Sequence, residues 1–312
     1  MKRFMLLLTF TVVGFMLIAS ASAKTIVTDG LVSYWTFDQT NIKDRTVEDV
    51  WGENDATIKG NPKVVKAYLK QGLELDGSGD YVSLPNFGNF GSRIGPYTFE
   101  VWFKTSYKKS WSAIYKVSEE PCAKHNNGHA ILLNAWWRIG HPRTIETVED
   151  NIFFQRARKS RNGCASRSSA RRYPVSDGEW HHIALTSRPP NQEELQKLNN
   201  MQRPPGLPVP PPAEVGHCYS IALYLDMERI TGALGCSAPR EIVPYTLPIY
   251  LGAVNHDGKA SGFFQGVFDE VRIYDRALTH EEVIRNYESG IGLSVEPIEK
   301  LSTVWGALKA KR

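Results

Sequence analysis

The sequence predicts an all-β fold, a two-sheet antiparallel sandwich with a short C-terminal helix. Three observations carry this. Apolar and polar residues alternate with period two in many short segments separated by Gly, Asn and Asp, as in one-sided strands. Helical spacing is confined to short stretches. With 312 residues, 42% of them hydrophobic and 11% aromatic, the chain can build one sizeable core.

At the N-terminus, Lys2 and Arg3 precede an apolar run from Phe4 to Ile18, and Ala21-Ser22-Ala23 follows. This is the pattern of a cleaved export signal over residues 1–23. The run is short of the roughly 20 residues that a membrane span requires, and no later segment qualifies. No cysteine follows the small residues, so a lipid anchor is not indicated. Losing residues 1–23 removes Lys2, Arg3 and no acid, which lowers the formal charge from +4 to +2. Such a near-neutral chain is not a general nucleic-acid binder.

The segments Gly30 to Asp38 (GLVSYWTFD), Gly52 to Gly60 (GENDATIKG) and Gly72 to Pro85 (GLELDGSGDYVSLP) read as strands and turns. Tyr97 to Thr105, Asp177 to Thr186 and Ile221 to Gly232 read as further strands, the last turning near Asp226 to Arg229. In Val267 to Tyr274, alternation sets Val267, Asp269, Val271 and Ile273 on the core side and Glu270 on the other. A buried carboxylate needs a cation or several hydrogen bonds. Thr279 to Glu282 is a capping box, and Val283, Ile284 and Tyr287 continue it as one closing helix.

In this order, these seven segments resemble laminin-G-like domains of the concanavalin A-like lectin and glucanase superfamily, over most of residues 29–289. The resemblance implies a jelly-roll sandwich spanning 24–290, with a tail over 291–312. It implies a structural calcium, with Asp269 matching the acidic residue of the closing strand. Asp38, Asn54 and Asp55 lie in segments that resemble the calcium-side loops. Calcium accepts such a mixture of carboxylate, amide and backbone oxygens. A buried Asp269 bonded to amides or to an arginine such as Arg276 would serve without metal. Related domains bind carbohydrates, sulfated glycans or proteins.

Two insertions interrupt the resemblance. Residues 119–172 lengthen a hairpin into an arm, and residues 189–217 open with a short helix before a proline-rich stretch, Pro204 to Pro212. Between Asp150 and Asp177 there is no acid, whereas Arg156, Arg158, Lys159, Arg161, Arg167, Arg171 and Arg172 occur. Guanidinium groups bind sulfate and carboxylate bidentately, so the arm is the candidate ligand-binding element for an anionic glycan. A solvated hairpin tip is the plain alternative. The tail repeats Leu301, Val304, Trp305 and Leu308 at helical spacing, which suits packing or docking.

Four cysteines in an exported chain favour disulfides. Of three possible pairings, hairpin symmetry favours Cys218 with Cys236 and Cys122 with Cys164. Cys122, His125, His129, Cys164, His217 and Cys218 lack the paired spacing of a zinc site. His181 and His182 are adjacent in a strand, face opposite ways and read as structural.

Catalysis is not expected. A glycoside hydrolase needs two converging carboxylates. Glu74 and Asp76 share a face, but Gly79 stands where the glucanase pattern requires a third carboxylate. The sequence therefore reads as a secreted, non-catalytic module. Its partner would be a glycan, with an extracellular protein in an adhesion assembly as the alternative.

Overall fold

A computed structural model of the chain describes residues 25–87, 95–109, 112–117, 129–134, 137–139, 144–146, 151–160, 163–200, 218–236, 248–256 and 258–289. The export signal expected over 1–23, the proline-rich stretch and the tail over 291–312 lie outside these residues, as do Cys122 and Arg161. Two large antiparallel sheets form the fold. The first sheet orders its strands as Glu228–Cys236, Cys218–Leu225, Trp180–Arg188, Tyr97–Lys104, Gln265–Tyr274, Gln71–Asp76 and Lys63–Lys66. Leu31–Trp35 adds an eighth strand beside Gln265–Tyr274. The second sheet runs Gly163–Arg172, Asn151–Ser160, His129–Leu133, Ser112–Val117, Ile249–Leu251, Tyr81–Leu84, Ala56–Lys59, Thr46–Val47 and Ile42–Lys43.

The sheets pack face to face because period-two alternation gives each an apolar side. Phe99, Val101, Phe103, Ile183, Leu185, Leu223 and Phe268 from the first sheet meet Val82, Leu84, Ile131, Leu133, Ile249 and Leu251 from the second. Each fully buried side chain of this size contributes about 1.5–3 kcal/mol relative to an exposed one. The jelly-roll sandwich class read from the sequence is the fold observed.

The first sheet has a second apolar cluster on its outer face, away from the sandwich core. Ala184, Ala222, Tyr224 and Tyr274 pack there against Ile26, Val27, Leu278 and Val283. The helix His280–Ser289 and the N-terminal segment cover this patch. Asn286 Oδ1 accepts the Val27 N–H at 2.7 Å, and Arg285 donates to the Thr25 carbonyl at 2.8 Å. The expected capping box starts this helix, since Glu282 N–H donates to Thr279 Oγ1 and Thr279 N–H to Glu282 Oε2. Gln192–Asn200 is the short helix expected in the second insertion, with Asn191 and Glu194 exchanging the same two bonds.

The first insertion becomes part of the second sheet. Asn151–Ser160 pairs with His129–Leu133 on one side and with Gly163–Arg172 on the other, over ten residue pairs. The hairpin expected at Asp226 is present, with Leu225 opposite Glu228 and Cys218 directly opposite Cys236. Asp226 and Met227 take positive φ to close it. No helix among the described residues is long and apolar enough to cross a membrane.

Candidate functional site

The site grows from a change of neighbours along the closing strand. One edge of Gln265–Tyr274 pairs with Gln71–Asp76 up to Phe268, and with Leu31–Trp35 from Val271 onward. Asp269 and Glu270 fall in the gap. Against the other neighbour, Asp269 pairs with Trp102 and Arg272 with Glu100, so three steps on one strand oppose two on the other. This is a β-bulge, and Glu270 adopts φ 54 to make it. A non-glycine residue in that region costs on the order of 1–3 kcal/mol, which the surrounding packing must offset.

The bulge corrects the alternation read from the sequence. Phe268, Val271 and Ile273 face the sandwich core together, so the parity flips between them. Asp269 is buried as expected, but it lies opposite Trp102 on the outer face rather than beside Val271. Glu270 reaches the same outer face, not the opposite one, because its carboxylate meets Tyr34 and Arg272 there.

Arg272 is the centre of this buried polar cluster. Its Nη2 donates to Glu270 Oε2 at 2.6 Å, its Nη1 lies 3.8 Å from Glu100 Oε2, and its guanidinium sits 4.8 Å from the Tyr34 ring centroid. Tyr34 donates its hydroxyl to the same Glu270 oxygen. Asn286 donates to Glu100 Oε2 at 2.8 Å and to Tyr274 Oη at 2.9 Å, tying the helix to the network. Burial raises Glu100 to about 7 against the opposing pull of Arg272. Burial, then Arg272, lowers His182 to about 3, so that imidazole is neutral.

Asp269 and Asp38 pin one turn between them. Asp269 Oδ2 accepts the Leu69 N–H at 2.8 Å, and Asp38 Oδ1 accepts the Gln71 N–H at 3.1 Å. Asp38 Oδ2 is 3.7 Å from Lys70 Nζ. Burial, and then the neighbouring Glu270 charge, push Asp269 up to about 9. Its Oδ1 is buried without a hydrogen-bond partner. An orphaned carboxylate oxygen beside a second carboxylate is a fitting start for a cation site. Among the described residues, however, no group of three or more His, Cys, Asp or Glu side chains is placed to hold a metal. Any ion there would need backbone carbonyls as well.

Asn54 and Asp55 belong to a different network. Asp49 accepts from the N–H groups of Tyr34, Trp51, Gly52 and Asn54 and so folds their loop. Asp55 Oδ1 accepts the Asp49 N–H, and the Asn54 amide donates to Ser33 Oγ. The structure thus brings Asp38 and Asp269 together and leaves these two apart. Arg276, the arginine considered for Asp269, instead pairs with Glu282 and Asp29.

An aromatic pile caps the buried cluster. Tyr68 stacks on Trp102 with ring centroids 3.6 Å apart, Trp180 lies 6.0 Å from Tyr68, and Tyr287 lies 4.9 Å from Trp102. The two adjacent histidines do face opposite ways. His182 is buried beside Glu100, whereas His181 bridges Asp226 at 2.7 Å and Asp177 at 3.2 Å.

In the arm, strand register sets Arg156 opposite Arg167, Arg158 opposite Ala165 and Arg171 opposite Ile152. Lys159 lies opposite Cys164 and Arg172 opposite Asn151.

Glu100, Glu270 and Arg272 are members of the site that the pattern did not single out. A charged residue alternating with apolar ones is the ordinary signature of a solvent-facing position. Nothing in FEVWF or VRIY tells that a helix from the chain end will cover it.

No protein-family model matches the chain, and no curated protein matches it. Among solved structures, the chain is similar to the binding domain of botulinum neurotoxin serotype D/C at 11% identity and TM-score 0.51, covering 84% of this chain and 52% of that one. It is similar to Trypanosoma rangeli sialidase in complex with the inhibitor DANA at 14% identity and TM-score 0.50, covering 84% and 33%. It is also similar to domain 4 of a GH43 extracellular arabinanase from Geobacillus stearothermophilus, in complex with arabinotriose, at 16% identity and TM-score 0.49, covering 82% and 98%. The chain therefore spans about half of the toxin domain and about a third of the sialidase. At these identities the likeness to the first two is one of fold, a two-sheet β-sandwich.

Proposed function

We propose that this chain is an exported, non-catalytic glycan-binding module of the laminin-G-like type, directed at anionic polysaccharide. The observation that supports it best is the register of the arm, a ten-pair hairpin whose two strands carry Arg156, Arg158, Lys159, Arg167, Arg171 and Arg172, with Arg156 directly opposite Arg167. Clustered positive charge raises the local concentration of a polyanion and speeds encounter. Guanidinium forks then bind sulfate or carboxylate groups bidentately.

Retention on a sulfated matrix tests this reading. Wild type should be retained at low salt and released as salt shortens the screening length toward about 8 Å at physiological strength. Replacing Arg156, Arg158, Arg161, Arg171 and Arg172 with serine should abolish retention, because the guanidinium groups that would hold the sulfates are removed. Equal retention of wild type and variant across a salt gradient would overturn the reading and favour a protein-adhesion role.

We further propose a structural calcium held by Asp269 and Asp38 with backbone oxygens, and a disulfide between Cys218 and Cys236. The calcium reading is supported by the orphaned Asp269 Oδ1. The disulfide reading is supported by direct cross-strand register and by the bonded state of Cys218. Peptide mapping of unreduced, exported protein should recover a Cys218–Cys236 linkage. Recovery of Cys218 joined to Cys164 or Cys122, or of free thiols, would reject it.

A further inference from the structure

Among the described residues, the outer face of the first sheet is covered over only part of its length. The closing helix and the N-terminal segment overlie one end, where Arg272 and its partners are buried. At the other end, strand register sets Lys63, Glu74, Val267, Lys104 and Trp180 side by side across five consecutive strands. All five are partly or fully exposed. Neighbouring strands are about 4.8 Å apart, so the row is a flat strip of side chains at that spacing. The first four, with Tyr107 and Gln265, line an open cleft of about 700 Å³.

The cleft is furnished with uncommitted polar groups. Among the described residues, the side chains of Lys63, Glu74, Lys104, Tyr107 and Gln265 take part in no hydrogen bond or ion pair. Asp76 and Asp80, which also line it, are already bound. Asp76 Oδ1 accepts the Ser78 N–H at 2.8 Å, and Asp80 Oδ1 accepts the Asn61 N–H at 2.6 Å. These two fix the turn, and the five free groups face the cleft.

We infer that this cleft is a saccharide site, distinct from the arginine arm, that takes an uncharged, hydroxyl-rich sugar chain laid across the strands. A sugar hydroxyl donates one hydrogen bond and accepts others. Glu74 supplies an acceptor, Lys63 and Lys104 supply donors, and the Gln265 amide and Tyr107 phenol supply both. The lining charges alternate in sign, with Lys63 and Lys104 against Glu74, Asp76 and Asp80, so a polyanion gains nothing there. Trp180 flanks the row with an apolar ring face of the kind on which the C–H face of a sugar packs. The volume lies within the range of small-molecule clefts, about 300–1,000 Å³.

Affinity electrophoresis of the whole chain through gels containing glucan, mannan, galactan or xylan tests the inference. Wild type should be retarded by at least one of these neutral polysaccharides, equally at low and high salt. A Glu74→Ala, Lys104→Ala double variant should lose about tenfold or more in affinity with its melting unchanged, because charge-assisted hydrogen bonds at exposed positions are removed. The serine variant of the arm should keep this binding even as it loses the sulfated matrix. Three results would each overturn the inference: no neutral polysaccharide retards wild type, the double variant is retarded equally, or retardation disappears with salt or in the arm variant. The last would return the binding to the arm, and loss of sulfate retention alone would leave the cleft untouched.

Discussion

Arg272→Ala should destabilise the fold by about 3–5 kcal/mol, because removing one partner of a buried ion pair leaves the other charge uncompensated. Arg272 and Glu100 are fully buried and Glu270 is 3% exposed, so no solvent is at hand to take over. A loss of that size is a large fraction of the 5–15 kcal/mol that holds a typical domain together. Glu100→Gln should cost far less. Glu100 is raised to about 7 and is partly neutral already, and a glutamine oxygen still accepts from Asn286. Urea unfolding of the two variants at equal m-value separates these expectations. If Arg272→Ala unfolds within about 1 kcal/mol of wild type, the network is not the anchor of the outer face. A triple change of Arg272→Met, Glu270→Gln and Glu100→Gln should recover much of the loss, since apolar or neutral replacement of a buried ion cluster is often tolerated.

Stability should fall with rising pH in the absence of divalent cations, and Asp269→Asn should flatten that fall. The folded chain holds Asp269 protonated up to about 9, whereas the unfolded chain releases that proton near the ordinary 3.8. Between those values the folded state binds more protons, so each rise in pH favours the unfolded state. Glu100 acts in the same sense from its ordinary 4.5 to about 7. His182 acts oppositely. Its folded value of about 3 lies below the ordinary 6.5, so stability falls as pH drops through that window. If calcium binds Asp269, it must displace the proton, so its binding should tighten with pH and add about 2.7 kcal/mol at a hundredfold excess over its dissociation constant. Thermal melts across pH 5–9, with chelator or calcium, report both effects. Identical pH profiles for wild type and Asp269→Asn would remove Asp269 from the titration. A melting temperature indifferent to calcium at every pH would remove the ion.

The strand segments were legible because a one-sided sheet writes its apolar face into the sequence every second residue. Thr279 with Glu282 was equally legible, since a capping box is a local exchange of two hydrogen bonds. The turn at Asp226 and the direct facing of Cys218 and Cys236 followed from symmetry about that turn. Asp269 was rightly placed in the interior, because a carboxylate amid Val267, Val271 and Ile273 has no ordinary surface reading.

The side of the sheet on which Asp269 lies was not legible. Strict alternation put it on the sandwich core, and one extra residue at Glu270 turned it to the other face. Bulges of this kind arise where a strand changes neighbours, which is decided by the meeting of Gln71–Asp76 and Leu31–Trp35 along one edge. Asn54 and Asp55 were joined to Asp269 only by the resemblance of their segment to a calcium-side loop, yet Asp49 recruits that loop.

By itself, the sequence determined the sandwich, its closing helix and the arm, since alternation, capping and charge bias are properties of neighbouring residues. Only the tertiary structure decided which charged strand residues are buried. Glu100, Glu270 and Arg272 occupy positions that would face water in an open sheet, and they become a dry cluster because residues near both chain ends fold over them. Among the described residues, the same cover stops short of Lys63, Glu74 and Lys104, which line an open cleft. Burial of a charge depends on what the distant chain brings to it, and that contact energy has no local trace in the residues that bear it.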